Sequence, residues 1–188
     1  MTIRRTHKGA RRRQLYGACG LIITGLAFAV GLAITGFAAG IRINTTPSEA
    51  IGLWQIVPLA SALRPGQRVF VCLPPNALLE EARERGYLRS GLCPGGVGPL
   101  IKSVVAVGGQ EIKVTDRLFI DGIPLPHSKI LTTDGKGRLL QHDRGGIVPA
   151  GAVYLHSAFQ ASWDSRYFGA VPQSGVLGLA RKVLTYAP

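Results

Sequence analysis

Three side chains in this sequence could together perform acyl transfer: the hydroxyl of Ser48, the amine of Lys102 and the carboxylate of Asp164. A serine attacks a carbonyl when a base takes its proton, and a lysine is such a base only where its neutral form is favoured. Lys102 has that setting. In L-I-K-S-V-V-A-V it follows Leu100 and Ile101 and precedes Val104 and Val105, and in a strand it shares a face with Val104 and Ala106. Lost solvation there lowers the amine's pKa towards the working pH. The bland alternative is a lysine whose stem lies on the sheet while its head reaches water. Ser48, in N-T-T-P-S-E-A-I-G, could equally be an ordinary turn residue. A Ser-His-Asp set of Ser48, His156 and Asp164 is the rival arrangement, although no motif surrounds His156. The four histidines (His7, His127, His142, His156) lack ligand spacing, so neither a metal nor a cofactor is expected. Glu80, Glu81 and Glu84 read as the charged face of an exposed helix.

The elements that must position these groups begin with an apolar run. Leu15 to Ile41 carries no charge, and about 20 helical residues suffice to cross a bilayer core of about 30 Å. Its glycines are common in membrane helices. Arg4, Arg5, Lys8, Arg11, Arg12 and Arg13 precede it with no acid among them. Residues 1–14 are therefore expected to be a basic cytoplasmic segment, 15–41 a transmembrane anchor and 42–188 an outer catalytic domain. A removable signal peptide is the alternative, with Ala38-Ala39-Gly40 as small residues for cleavage, although its apolar core usually has only about 7–15 residues. The net charge of +12 admits nucleic-acid binding, but the basic cluster abuts the apolar run and no recognition motif is visible, so membrane lipid is the expected partner. Cys19 lies inside the run. Cys72 and Cys93 are then the two thiols on the oxidising side and are expected to join.

After the membrane the chain reads as mostly short antiparallel strands. Gly52–Val57 and Arg68–Leu73 are joined through a Pro65-Gly66 turn, and Asn76 caps one short helix that Gly86 ends. The stretch Ser90–Pro99, S-G-L-C-P-G-G-V-G-P, reads as a loop, without the order of a phosphate-binding motif. Lys102–Val107, Glu111–Val114 and Arg117–Ile120 are further strands, with Asp121-Gly122 as a hairpin turn. Residues 124–146 are polar and aperiodic, a flexible loop or lid. Val153–His156 and Val176–Thr185 close the chain.

Three boxes, in order, resemble the signal peptidase I family of serine–lysine proteases, and more narrowly its TraF-type conjugative-transfer branch. They are T-T-P-S-E-A-I-G, G-L-C-P-G-G-V-G-P-L-I-K-S-V-V-A-V-G-G and S-W-D-S-R-Y-F-G. The third, similar to S-x-D-S-R-x-x-G, is the most specific. The resemblance implies Ser48 as nucleophile and Lys102 as general base. It implies the Ser48 N–H and Thr46 as an oxyanion hole, Ser162 as the residue orienting the lysine, and Asp164 as a residue needed for activity. Asp164 and Arg166 could equally be a structural ion pair. Departures from the general enzymes are the absent methionine after Ser48, Ser103 for arginine, Gly108 for proline and Gln110 for aspartate, and the missing G-D-N-R before the third box.

The fold class expected is therefore a mainly β, antiparallel signal-peptidase-like body behind one N-terminal transmembrane helix. The expected function is an endopeptidase that processes, and could cyclise, a conjugative pilin precursor on the periplasmic face of the inner membrane. Its partners would be that precursor, membrane lipid and other conjugative-transfer proteins, with no nucleic acid. A general type I signal peptidase and an inactive scaffold of a conjugation channel are the alternatives.

Overall fold

The structure, a computed structural model, describes residues 4–186, with side chains from Gln14 onward. The side chains of the basic cluster at residues 4–13, and residues 1–3 and 187–188, lie outside the described residues. The chain divides into two compact units, Met1–Ile41 and Arg42–Pro188.

The first unit is one helix, α1 (Arg4–Ala38). Its portion Gln14–Ala38, 25 residues, is long and apolar enough to cross a membrane. Leu21, Ile22, Phe28 and Ile34 are exposed along it. The helix ends three residues before the apolar run does, where Gly40 takes a left-handed φ of 80° and its N–H bonds back to the Phe37 carbonyl.

The second unit is mainly β. In chain order it contains β1 (Ile41–Asn44), β2 (Ile51–Val57), β3 (Arg68–Val71), α2 (Ala77–Glu84), β4 (Ser90–Cys93), β5 (Leu100–Val107), β6 (Glu111–Val114), β7 (Leu118–Ile120), β8 (Ile123–Pro124), β9 (Gly146–Ile147), β10 (Ala152–His156), α3 (Ser165–Phe168), β11 (Val171–Pro172) and β12 (Val176–Tyr186). Apart from β4, the strands form a seven-stranded sheet in the order β1-β2-β12-β3-β5-β10-β11 and a four-stranded sheet in the order β8-β7-β6-β9. The pairings with described register are antiparallel. Alternation along β3 and β5 explains the layering. Val69 and Val71 point into a cluster with Leu79, Val104 and Leu155, while Phe70 and Ile101 meet Trp54 on the other face.

Four features differ from the reading of the sequence. First, β2 and β3 are not neighbours: β12 lies between them and pairs with both. Their link, residues 58–67, is longer than the two to five residues of a tight hairpin, so it can step over the intervening strand. Second, the stretch expected as a loop contains β4, whose Ser90 and Cys93 bridge to Val97. Third, α3 adds a second short helix inside the third box. Fourth, residues 124–146 are anchored rather than loose: Tyr87 Oη donates to Asp134 Oδ2 (2.6 Å) and Asp143 N donates to the Arg166 carbonyl (2.8 Å).

Cys72 and Cys93 are disulfide-bonded, 21 residues apart. The bridge ties the end of β3 to the end of β4 and encloses α2. Asn76 caps that helix through its Oδ1, which accepts from Leu79 N at 2.8 Å. Closing a loop of this length stabilises by about 3 kcal/mol in the chain-entropy picture.

Candidate active site

The site is assembled from the β1–β2 turn, the middle of β5, and the segment from the end of β10 into α3. Lys102 on β5 pairs with Val69 of β3, and next on its face comes fully buried Val104. The lysine is itself 2% exposed. Its Nζ donates to Ser162 Oγ at 2.6 Å. Burial pushes its amine down from the ordinary 10.5 to about 8; Asp164 and then Glu49 act against that shift, and Arg166 adds to it. The lysine is therefore not the solvent-reaching kind.

Ser48 stands half-buried in the turn after β1. Asn44 Nδ2 donates to the carbonyls of Thr46, Glu49 and Ala50 at 2.9, 2.9 and 3.0 Å. Asn44 Oδ1 accepts from Thr46 N at 3.1 Å and from Thr46 Oγ1 at 2.8 Å. Thr46 Oγ1 is also 3.4 Å from Ser48 Oγ. The Trp54 indole N–H reaches the Ala50 carbonyl at 2.8 Å. Glu49 forms an ion pair with Arg68 of β3 at 2.9 Å. At the end of the same box, Gly52 has φ 131°, and a Cβ there would lie 2.2 Å from the Leu184 carbonyl oxygen of β12. Only glycine allows that approach.

The third box closes the site. Asp164 and Arg166 are both fully buried. Arg166 Nε donates to Asp164 Oδ1 (2.8 Å) and its Nη2 to Oδ2 (2.9 Å). The same guanidinium donates to the carbonyls of Ser162 (3.0 Å) and Lys129 (2.9 Å). Asp164 Oδ2 further accepts from Ser157 N at 3.1 Å, and the Ser157 hydroxyl donates to the Ser48 carbonyl. Gly169 ends the box with φ 73°, where a Cβ would sit 3.0 Å from Asp143 Oδ1.

The expected residues thus fall into one site but not into one chain of direct contacts. Lys102 meets Ser162; Ser48 meets Thr46; among the described residues no hydrogen bond joins Lys102 Nζ to Ser48 Oγ. The link between the two halves is Ser157, which touches both the Ser48 turn and Asp164. His156 does not form the rival triad. The Asp164 oxygens are taken by Arg166 and Ser157, and the buried His156 Nε2 has no partner among the described residues. Burial pushes that imidazole down to about 4. Asn44 and Ser157 were not assigned roles from sequence: an asparagine opening a turn and a serine after a strand are common features. Among the described residues, no group of three or more His, Cys, Asp or Glu side chains converges as a metal site.

Chemically, the arrangement offers a desolvated amine, a hydroxyl on a braced turn, and the Ser48 N–H, which donates to nothing among the described residues. These are the parts needed for attack on a carbonyl. The family described as "Signal peptidase, peptidase S26" matches residues 14–185. The chain is 49% identical over 172 residues to the "Conjugal transfer protein TraF" of Agrobacterium fabrum, covering 92% of this chain and 94% of that one. It is 52% identical over 160 residues to the "Probable conjugal transfer protein TraF" of Sinorhizobium fredii, covering 85% of each. A "Plasmid transfer protein TraF" of Escherichia coli is 35% identical over 160 residues, covering 82% of this chain and 89% of the relative.

Proposed function

The chain belongs to the peptidase S26 signal peptidase family, in its TraF conjugal-transfer branch, and from that premise we propose a membrane-anchored serine endopeptidase that processes a pilin precursor with a Ser48/Lys102 dyad. The observation that carries the reading is the Lys102 amine. It is buried, held by Ser162 and shifted to about 8, in a site shared with an accessible hydroxyl.

In this mechanism the Ser48 hydroxyl turns from Thr46 towards Lys102, gives up its proton to the amine and attacks the carbonyl of a small residue. The Ser48 N–H and the Thr46 hydroxyl stabilise the oxyanion. The Lys102 ammonium then protonates the departing amine, leaving an acyl-enzyme. Water completes hydrolysis, whereas the precursor's own N-terminal amine would close a ring. Asp164 acts as a positioning residue: it fixes Arg166, which holds the Ser162 carbonyl, and Ser157, which holds the Ser48 carbonyl. Resting catalytic contacts commonly tighten only when substrate binds, which accommodates the absent Ser48–Lys102 bond. By the positive-inside rule the basic N-terminus is cytoplasmic and the catalytic unit lies on the periplasmic face of the inner membrane. Membrane lipid and other transfer proteins complete the partners.

That same absent bond favours a second reading, an inactive scaffold of a transfer channel. Co-expression with a pilin precursor and mass spectrometry of the product separates the two. Processing that disappears in folded Ser48→Ala and Lys102→Ala variants supports the peptidase; a product one water lighter than the trimmed linear chain marks ring closure. Processing that persists in either variant refutes the dyad.

A further inference from the structure

We propose that Asn44 is a positioning residue that sets the proton direction of the Thr46–Ser48 hydroxyl pair and thereby controls when Thr46 can serve the oxyanion. The inference rests on the serine-peptidase reading above and deepens it.

The orientation of the Asn44 amide is fixed by its surroundings. Three carbonyls, those of Thr46, Glu49 and Ala50, face Nδ2, while an N–H and a hydroxyl face Oδ1. A reversed amide would set its oxygen against three acceptors and its hydrogens against a donor N–H. Oδ1 can only accept. The single Thr46 proton is therefore committed to Asn44 at 2.8 Å, and the longer 3.4 Å contact must be Ser48 donating to Thr46.

The resting turn thus holds two protons away from catalysis. The Ser48 proton points at Thr46, and the Thr46 proton points at Asn44. For Thr46 to donate to an oxyanion, its O–H must swing off Asn44 Oδ1. That swing becomes favourable as negative charge develops on the substrate oxygen. Asn44 is 9% exposed and braced by three carbonyls, so it stays in place when the proton leaves and receives it again after collapse. It also keeps Thr46 Oγ1 within a hydroxyl rotation of both positions.

The test uses the full chain in detergent micelles and a β-lactam-type acylating probe, with intact-mass detection of the Ser48 adduct. The maximal acylation rate and the half-saturating probe concentration are measured separately. Asn44→Ala is expected to lower the maximal rate about 10- to 100-fold, less than the roughly 100- to 1,000-fold cost of removing an oxyanion donor outright, with half-saturation moving less than about threefold. Asn44→Ser, which leaves a small group able to accept from Thr46 and sets no charged oxygen against the three carbonyls, is expected to lower the rate even if Asn44→Ala fails to fold. In an Asn44→Ser background, Thr46→Val should cost much less than it does in the wild type, because the two changes remove one function. Unchanged maximal rates, a loss confined to half-saturation, or additive losses in the double variant would overturn the proposal. Wild-type acylation with unaffected Asn44 variants removes this inference alone. A wild-type chain that is not acylated, or one labelled equally after Ser48→Ala, removes the serine-peptidase reading and this inference with it.

Discussion

The third box and the nucleophile turn support the same chemistry in opposite ways. Asp164 and Arg166 are fully buried, and each carboxylate oxygen and each guanidinium nitrogen has a partner. The Ser48 turn is half-buried, and a neutral amide from Asn44 and one hydroxyl from Ser157 hold it. The difference shows where charge is affordable. A fully buried charge pair is deployed only where nothing must move, because a buried ion is stable only in a fixed, saturated shell; the turn's own ion pair, Glu49–Arg68, stays open to solvent on the arginine side. In the proposed mechanism the turn must let two protons change direction, and neutral groups do that without a large desolvation penalty.

The comparison is broken most severely by removing one charge. Arg166→Met leaves the Asp164 carboxylate buried without its cation and should destabilise by about 3–5 kcal/mol, read as a lower urea midpoint. If the loss is under 1 kcal/mol, the third box is not the rigid half. Lys102 gives the next largest effect. Its amine deprotonates at about 8 when folded and at the ordinary 10.5 when unfolded, so between those pH values the unfolded chain binds more protons. Stability should therefore rise as pH increases from 8 to 10.5, by up to about 3 kcal/mol at 1.36 kcal/mol per pH unit. Lys102→Met should abolish that slope in denaturant titrations across this range. Activity should likewise rise with pH through an inflection near 8, as the free amine appears.

Two smaller effects sharpen the contrast. Glu49 favours the charged form of Lys102, so Glu49→Gln should move the activity inflection to lower pH; an upward movement would contradict the placement of this carboxylate. Ser48→Ala should change stability by no more than about 0.5 kcal/mol while eliminating acylation. A clear destabilisation there would mean that the turn, too, depends on its catalytic side chain for its shape.

The residues of the site were more legible in the sequence than the contacts between them. Ser48, Lys102 and Ser162 could be located because the boxes keep chemistry-bearing residues at recognisable spacings, whereas the apolar flanks of Lys102 left burial and a solvent-reaching head both open, and the structure buries it. Asn76 and Asp121-Gly122 were readable because capping and hairpin turns are local. Pairing of β12 between β2 and β3 was not, since alternation reports a buried face and says nothing about the neighbour across it. Nor was the bracing by Asn44 and Ser157: a side-chain amide reaching three carbonyls depends on how the turn closes, which no short pattern encodes. The short α3 escaped because its four residues make about one turn, too few for a 3.6-residue period to repeat.

The place of β12 carries a consequence for how the sheet closes. The strand that continues the nucleophile turn is joined to the lysine-bearing part of the sheet through β12, whose Leu179 pairs with Val57 and Tyr186 with Ile51. Until β12 arrives, β2 lacks this partner and the approach of Gly52 to Leu184 is unformed. The large sequence separation of these contacts makes their closure late and slow. The two halves of the site are therefore joined into one sheet by its most distant pairing rather than by any local turn.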